Sequence, residues 1–237
     1  MDLVTALVFL GVSIFNLVIS TWNAYASGFN GELLKIMEKS RLRSFLRFSY
    51  LIGVLFSLIG AIYATALIIG SLLFLLDLVS VWIFEVLNDI CFLVFGGLIV
   101  VFGIVITVHG YVVTYYRRKM GKGKRSDWLI NGWNTYAMVR NTIVYLRYFG
   151  DALRDLSSLF KGSSRRRDRD RGYVILAIIF VVAIIIASYI IYKAYSMGQR
   201  RARMLIRDTL GEEYLYQVRG EGVEVPQVVV VRRSQRL

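Results

Sequence analysis

The sequence predicts an all-helical integral membrane protein: four transmembrane helices, a cytoplasmic amphipathic helix and a small C-terminal tail. Three observations carry that prediction. Residues 48–76 run for twenty-nine positions without Asp, Glu, Lys or Arg; as a helix they would reach roughly 43 Å, against a hydrocarbon core of roughly 30 Å. Further charge-free runs occupy 3–31, 90–116 and 172–192. The chain is 57% hydrophobic with a single proline and a mean hydropathy of +0.57, more apolar than soluble domains at roughly 45–50% on a wider definition.

The first span covers about 3–26. No basic segment precedes it, only Asp2, so it reads as a retained span rather than a cleaved signal peptide. Trp22 and Tyr25 fall where aromatic side chains anchor a helix at headgroup level. A basic connection, 32–47, leads to the second span, 48–76. Residues 77–89 form a short acidic turn with Asp77, Glu85 and Asp89 and no base. The third span, 90–116, stops at Arg117, Arg118 and Lys119. Residues 117–171 make a basic arm, 172–192 the fourth span and 193–237 the tail.

Charge sets the expected orientation. Connections 32–47 and 117–171 carry +3 and +10, while the N-terminus, the acidic turn and the tail together carry zero. Cytoplasmic loops collect Lys and Arg, so the N-terminus is expected outside and residues 117–171 in the cytoplasm. The net charge of +13 is explained by this orientation. One feature resists it: Lys193, Arg200, Arg201, Arg203 and Arg207 would then lie outside. A fifth span over 128–149 would bring them inside, at about 2.5–3.5 kcal/mol for each arginine near the bilayer centre, and the segment contains Arg140 and Arg147.

Trp22-Asn23-Ala24-Tyr25-Ala26 recurs as Trp133-Asn134-Thr135-Tyr136-Ala137. Each copy follows a span and precedes a basic stretch, which points to an internal repeat of interfacial anchors. The competing explanation is coincidence, since these residue types are frequent at membrane boundaries. Beyond the second copy, Leu129, Tyr136, Val139, Ile143, Leu146, Leu153 and Phe160 follow a heptad, and Arg140, Arg147 and Arg154 form a stripe at intervals of seven. Such a helix either lies in the lipid interface or packs on a partner, with Gly150 expected to bend or break it. Arg165, Arg166, Arg167, Arg169 and Arg171 read as a solvated linker beside anionic headgroups. Nucleic acid is the weaker alternative, because no aromatics interleave with the bases.

Gly53 and Gly60 in the second span, and Gly96, Gly103 and Gly110 in the third, recur every seven residues. Small residues at this spacing let helix backbones approach closely, so these two faces are expected to meet each other or a second subunit. The fourth span shows no such face and is expected to meet mainly lipid. In the tail, 199–210 reads as a short amphipathic helix, and 214–219 and 223–231 as a β-hairpin.

One cysteine, Cys91, and one histidine, His109, exclude an internal disulfide, a bis-histidine haem site and a Cys/His metal cluster within one chain. No catalytic, cofactor or metal residues are assigned, and no small-molecule substrate is inferred. Arginine in excess of lysine, with plentiful Ile, Val and Tyr, hints at a thermophile. The expected role is a non-catalytic structural or assembly subunit of a larger membrane or envelope complex, working as a homo- or hetero-oligomer. The alternative is an oligomeric pore or channel component.

Overall fold

The computed structural model describes residues 3–36, 40–119, 124–161 and 166–210, and they are helical almost throughout. The helices are α1 (Leu3–Leu33), α2 (Arg41–Leu75), α3 (Val81–Cys91), α4 (Gly97–Lys119), α5 (Arg125–Lys161) and α6 (Arg166–Leu210). A π turn, Phe92–Gly96, joins α3 to α4 without a break. Four segments are long and apolar enough to cross a membrane: Leu3–Ile36, Arg41–Leu75, Val81–Tyr116 and Gly172–Thr209. Among the described residues there is no strand; the expected hairpin lies outside them.

Helix ends follow local chemistry. Ser40 Oγ accepts the Arg43 amide at 3.1 Å and starts α2, while Asp127 Oδ2 accepts the Lys124 amide at 3.1 Å and starts α5. At the C-terminus of α2, Leu78 N–H donates to the Leu73 carbonyl and Asp77 N–H to the Phe74 carbonyl. This is a Schellman motif, with Asp77 in the left-handed conformation at φ 55°. The turn is therefore only 77–80. Glu85 and Asp89 belong to α3, whose other face buries Ile83, Phe84, Val86, Leu87 and Cys91. The expected acidic loop is corrected to the opening turns of the third apolar helix.

α1, α2 and α6 form the tightest group. α1 buries Ala6, Ser13, Ser20 and Ser27, spaced by seven, and runs antiparallel to α2. A β-carbon at Gly60 would come within 2.7 Å of Ser20 Oγ, and one at Gly53 within 2.8 Å of Ser27 Oγ. α6 runs parallel to α1. Its buried Ala183, Ala187, Ala194 and Ala202 act with Gly198, where an added β-carbon would strike the Tyr25 carbonyl; Gly28 is pressed equally against the Tyr195 carbonyl. The expectation that the fourth span lacks a packing face is overturned by these alanines. Nor does it stop near residue 192, for one helix continues to Leu210, absorbing the expected short tail helix. No proline interrupts it.

α4 runs antiparallel to α2 along a ladder of rings: Tyr50 with His109, Phe56 with Phe102, Tyr63 with Phe95. α5 then runs antiparallel to α4 along its whole length. Asn131 donates to Thr114 Oγ1 at 2.8 Å; Tyr111 and Thr135 hydroxyls meet at 3.1 Å; Met138 lies beside Gly103 and Thr107; Tyr145 donates to the Leu93 carbonyl in the π turn at 2.9 Å. Leu156 reaches the core cluster that α3 builds with α2 and α6. The helix runs unbroken through Gly150.

Two ends result. The basic end gathers the C-termini of α1, α4 and α6 with the N-termini of α2 and α5. The α3 end gathers the N-termini of α1 and α6, as seen where Trp82 packs on Tyr173. Arg200, Arg201, Arg203 and Arg207 therefore share an end with Arg41, Arg43 and Arg47.

Candidate functional site

α1, α2 and α4 converge near the basic end around a cavity of about 220 Å³. Asn23, Ala26, Ser27 and Asn30 line it from α1 at helical spacings of three and four, which puts them on one face. Ser49, Tyr50, Gly53 and Phe56 line it from α2, and Val105, Ile106 and His109 from α4. Six of these eleven side chains carry hydrogen-bonding groups, each set within an apolar run. None is charged.

Several hydroxyls in the bundle are satisfied inside their own helices. Ser57 donates to the Gly53 carbonyl at 2.7 Å and Thr21 to the Leu17 carbonyl at 2.7 Å. Others are not: Thr65 Oγ1 and Ser71 Oγ, away from the cavity, have no hydrogen-bond partner in the protein. Ser49 is 7% exposed, and neither its Oγ nor the buried His109 Nδ1 has a hydrogen-bond partner in the protein. A buried polar atom left unpaired costs about 1–3 kcal/mol. The imidazole is held by rings, stacked on Phe45 with centroids 6.2 Å apart and edge-on to Tyr50 at 5.4 Å. This arrangement can donate and accept hydrogen bonds to a small occupant.

A second polar feature lies nearby. Glu32, 4% exposed, accepts on Oε1 from Arg203 Nε at 3.0 Å and from Lys35 Nζ at 2.9 Å. Among the described residues no group of His, Cys, Asp and Glu side chains is arranged to hold a metal ion.

No protein-family model, curated protein or solved structure matches this chain.

The residues singled out in the sequence fall in three groups. Both glycine faces are packed, but not on each other. Gly53 and Gly60 meet Ser27 and Ser20 of α1, whereas Gly96, Gly103 and Gly110 meet Tyr145, Met138 and Asn131 of α5. The two W-N-x-Y-A segments share one local geometry, an exposed Trp against the Tyr one turn on: Trp22 with Tyr25 at 5.8 Å, Trp133 with Tyr136 at 5.7 Å. They differ at asparagine. Asn23 lines the cavity, while Asn134 is exposed and Asn131 is the buried one.

Arg140, Arg147 and Arg154 are exposed, opposite the α4-facing row of Asn131, Thr135, Met138, Thr142 and Tyr145. The apolar heptad Leu129, Tyr136, Val139, Ile143, Leu146 and Leu153 is likewise exposed, so the expected apolar seam is not the one α5 uses within the chain. Arg165 lies outside the described residues; Arg166 and Arg167 open α6. Ser49, Asn30, Gly28 and Gly198 were not singled out from sequence. A small-residue count along 183–202 would have found Gly198, whereas the cavity residues come from three helices and share no linear signal.

Proposed function

We propose that the protein is a non-catalytic, multi-pass membrane subunit that assembles with a partner protein through the outward face of α5, its basic end in the cytoplasm and its N-terminus outside. The observation that carries this reading is the level of Arg140 and Arg147. They are exposed on a helix whose Met138 is level with Gly103 and whose Tyr145 is level with Gly96 and Gly97, along the apolar helix α4.

Lipid is a poor neighbour for that face. Two arginines toward the bilayer interior cost about 5–7 kcal/mol on insertion scales. Leu129, Trp133, Ile143 and Leu146 around them are exposed too, and water is a poor neighbour for those. A protein partner that hydrogen-bonds the guanidinium groups and covers the apolar side chains satisfies both demands. The orientation follows from the basic end, because Lys and Arg collect on the cytoplasmic side; anionic headgroups there complement it. On this reading only the start of α5 is cytoplasmic and its end is outside, in place of the expected cytoplasmic 117–171. This is the alternative fifth crossing, and it brings the C-terminal part of α6 inside with the other basic segments.

A photo-crosslinking residue at Tyr136 or Ile143, irradiated in native membranes, tests the assembly. Crosslinks to protein from both positions are expected, with none from Ile185 on the exposed side of α6. Crosslinks to lipid alone from the α5 positions would sink the reading.

The same arginines favour a second reading, a pore in which copies turn α5 toward a water-filled axis. Rings of Arg select anions. That reading expects anion conductance in planar bilayers, lost in Arg140→Gln with Arg147→Gln; a silent bilayer leaves the assembly subunit.

A further inference from the structure

We infer that the cavity between α1, α2 and α4 is a binding site for an uncharged, multiply hydroxylated group, a sugar or polyol. The inference is independent of the partner face on α5, which lies on the other side of α4.

The lining dictates the ligand class. Asn23 and Asn30 each present an amide donor and an amide acceptor; Ser27, Ser49 and Tyr50 present hydroxyls that do both; His109 adds a ring nitrogen. A ligand hydroxyl likewise donates and accepts, so each can answer two wall groups. Ser49 Oγ and His109 Nδ1 also lack a partner in the protein but are sealed within the packing, so the wall groups such hydroxyls would meet are those of Asn23, Ser27, Asn30 and Tyr50. An ion would enter without a counter-charge, since no Asp, Glu, Lys or Arg lines the cavity, and ions taken out of water need one. A purely apolar molecule would leave the polar wall unpaired.

The walls also offer an apolar side: Phe56, Val105 and Ile106. A sugar ring has the matching duality, hydroxyls at its rim and C–H groups on its face. That hydroxylated group can come from solution or from the head of a glycolipid.

His109 is the single histidine in the chain, so the full-length protein labelled with ¹⁵N-histidine reports one imidazole. It is placed in phosphatidylcholine nanodiscs and titrated with glycerol, myo-inositol and galactose; a parallel series replaces part of the lipid with galactosyl diacylglycerol. A saturable shift of the imidazole nitrogen signals is expected. Its appearance with free solutes identifies a soluble ligand, and its appearance only with the glycolipid identifies a headgroup. Asn23→Ala should weaken half-saturation about tenfold, the worth of one hydrogen bond, and Val105→Phe, which fills the cavity, should abolish the shift. Asn30→Ala replaces either variant if it loses helical content or monodispersity. No saturable shift in either series, or a shift that the folded variants leave unchanged, overturns the inference.

Discussion

Arg203 Nε donates to Glu32 Oε1 at 3.0 Å across 171 residues of chain, tying α6 to α1 beyond their apolar contact. Glu32 is buried, while the Arg203 and Lys35 side chains that share its oxygen are 46% and 44% exposed. Removing one partner of a fully buried pair costs about 3–5 kcal/mol. Here Lys35 stays behind and solvent screens both cations, so Arg203→Ala should cost about 1–2 kcal/mol. Thermal unfolding of Glu32→Gln, Arg203→Ala and the double variant in detergent gives the coupling directly. About 1 kcal/mol is expected, falling in high salt; additive effects would show the pair to be idle.

Gly198 and Gly28 govern the crossing of α1 and α6. A side chain at either meets backbone of the facing helix, which has no rotamer with which to yield. Gly198→Val should therefore destabilise by about 3 kcal/mol, the upper part of the overpacking range. Gly150 is the control: a β-carbon there has nothing within 4 Å, and the residue sits inside a continuous helix. Gly150→Ala should stabilise by about 0.5–1 kcal/mol through chain entropy. Melting curves of the two variants must move in opposite directions.

Asp77 sits at φ 55° in the capping motif that ends α2. Left-handed backbone costs a residue with a β-carbon roughly 1–2 kcal/mol, less for Asp than for most. Asp77→Gly should raise the melting temperature, by about 0.5–1 kcal/mol in stability. A lower melting temperature would mean that the carboxylate makes a compensating contact.

Much of the fold was legible in the sequence because the bilayer imposes a crude, strong signal. Four apolar runs, broken by Arg117 to Lys119 at one boundary and Asp77 at another, gave four apolar helices. The rest failed for specific reasons. Glu85 and Asp89 read as a loop because acids near a span look like a boundary, yet they occupy the outer face of a helix whose inner face is Phe84, Leu87 and Cys91. Glycine spacing identified close-packed faces but carries no information about the partner. On α5 the conspicuous apolar heptad is the exposed one, and the seam against α4 is the quieter row from Asn131 to Tyr145. The cavity was invisible, because Asn23, Ser49 and His109 converge only when three helices are assembled.

That quieter seam makes its own prediction. Asn131, 6% exposed, donates to the Gly110 carbonyl at 3.2 Å and to Thr114 Oγ1 at 2.8 Å. Interhelical hydrogen bonds of this kind contribute about 0.6–2 kcal/mol. Asn131→Leu should destabilise the α4–α5 pair by about that much, and Asn134→Leu, at the motif asparagine that is exposed, should have little effect. Hydrogen exchange in α5 reads the difference, since only the first variant should speed it.

The level of α5 relative to α4 makes the last prediction, one of topology. Antiparallel packing along the whole of α4 carries the chain from the basic end at Ser126 to the α3 end at Ser157, so the two residues should face opposite aqueous sides if the bundle is inserted as proposed. Cys91 is the only cysteine, and Cys91→Ala leaves a background in which one cysteine at a time can be introduced. In oriented vesicles a membrane-impermeant maleimide added outside should label Ser157→Cys together with Leu78→Cys, which lies in the turn at the α3 end. Ser126→Cys should be labelled only after permeabilisation, together with Arg201→Cys. Labelling of Ser126→Cys and Ser157→Cys from the same side would return residues 125–161 to the membrane surface. It would also leave Lys193 to Arg207 on the side away from the other basic segments, against the charge asymmetry that orients membrane helices.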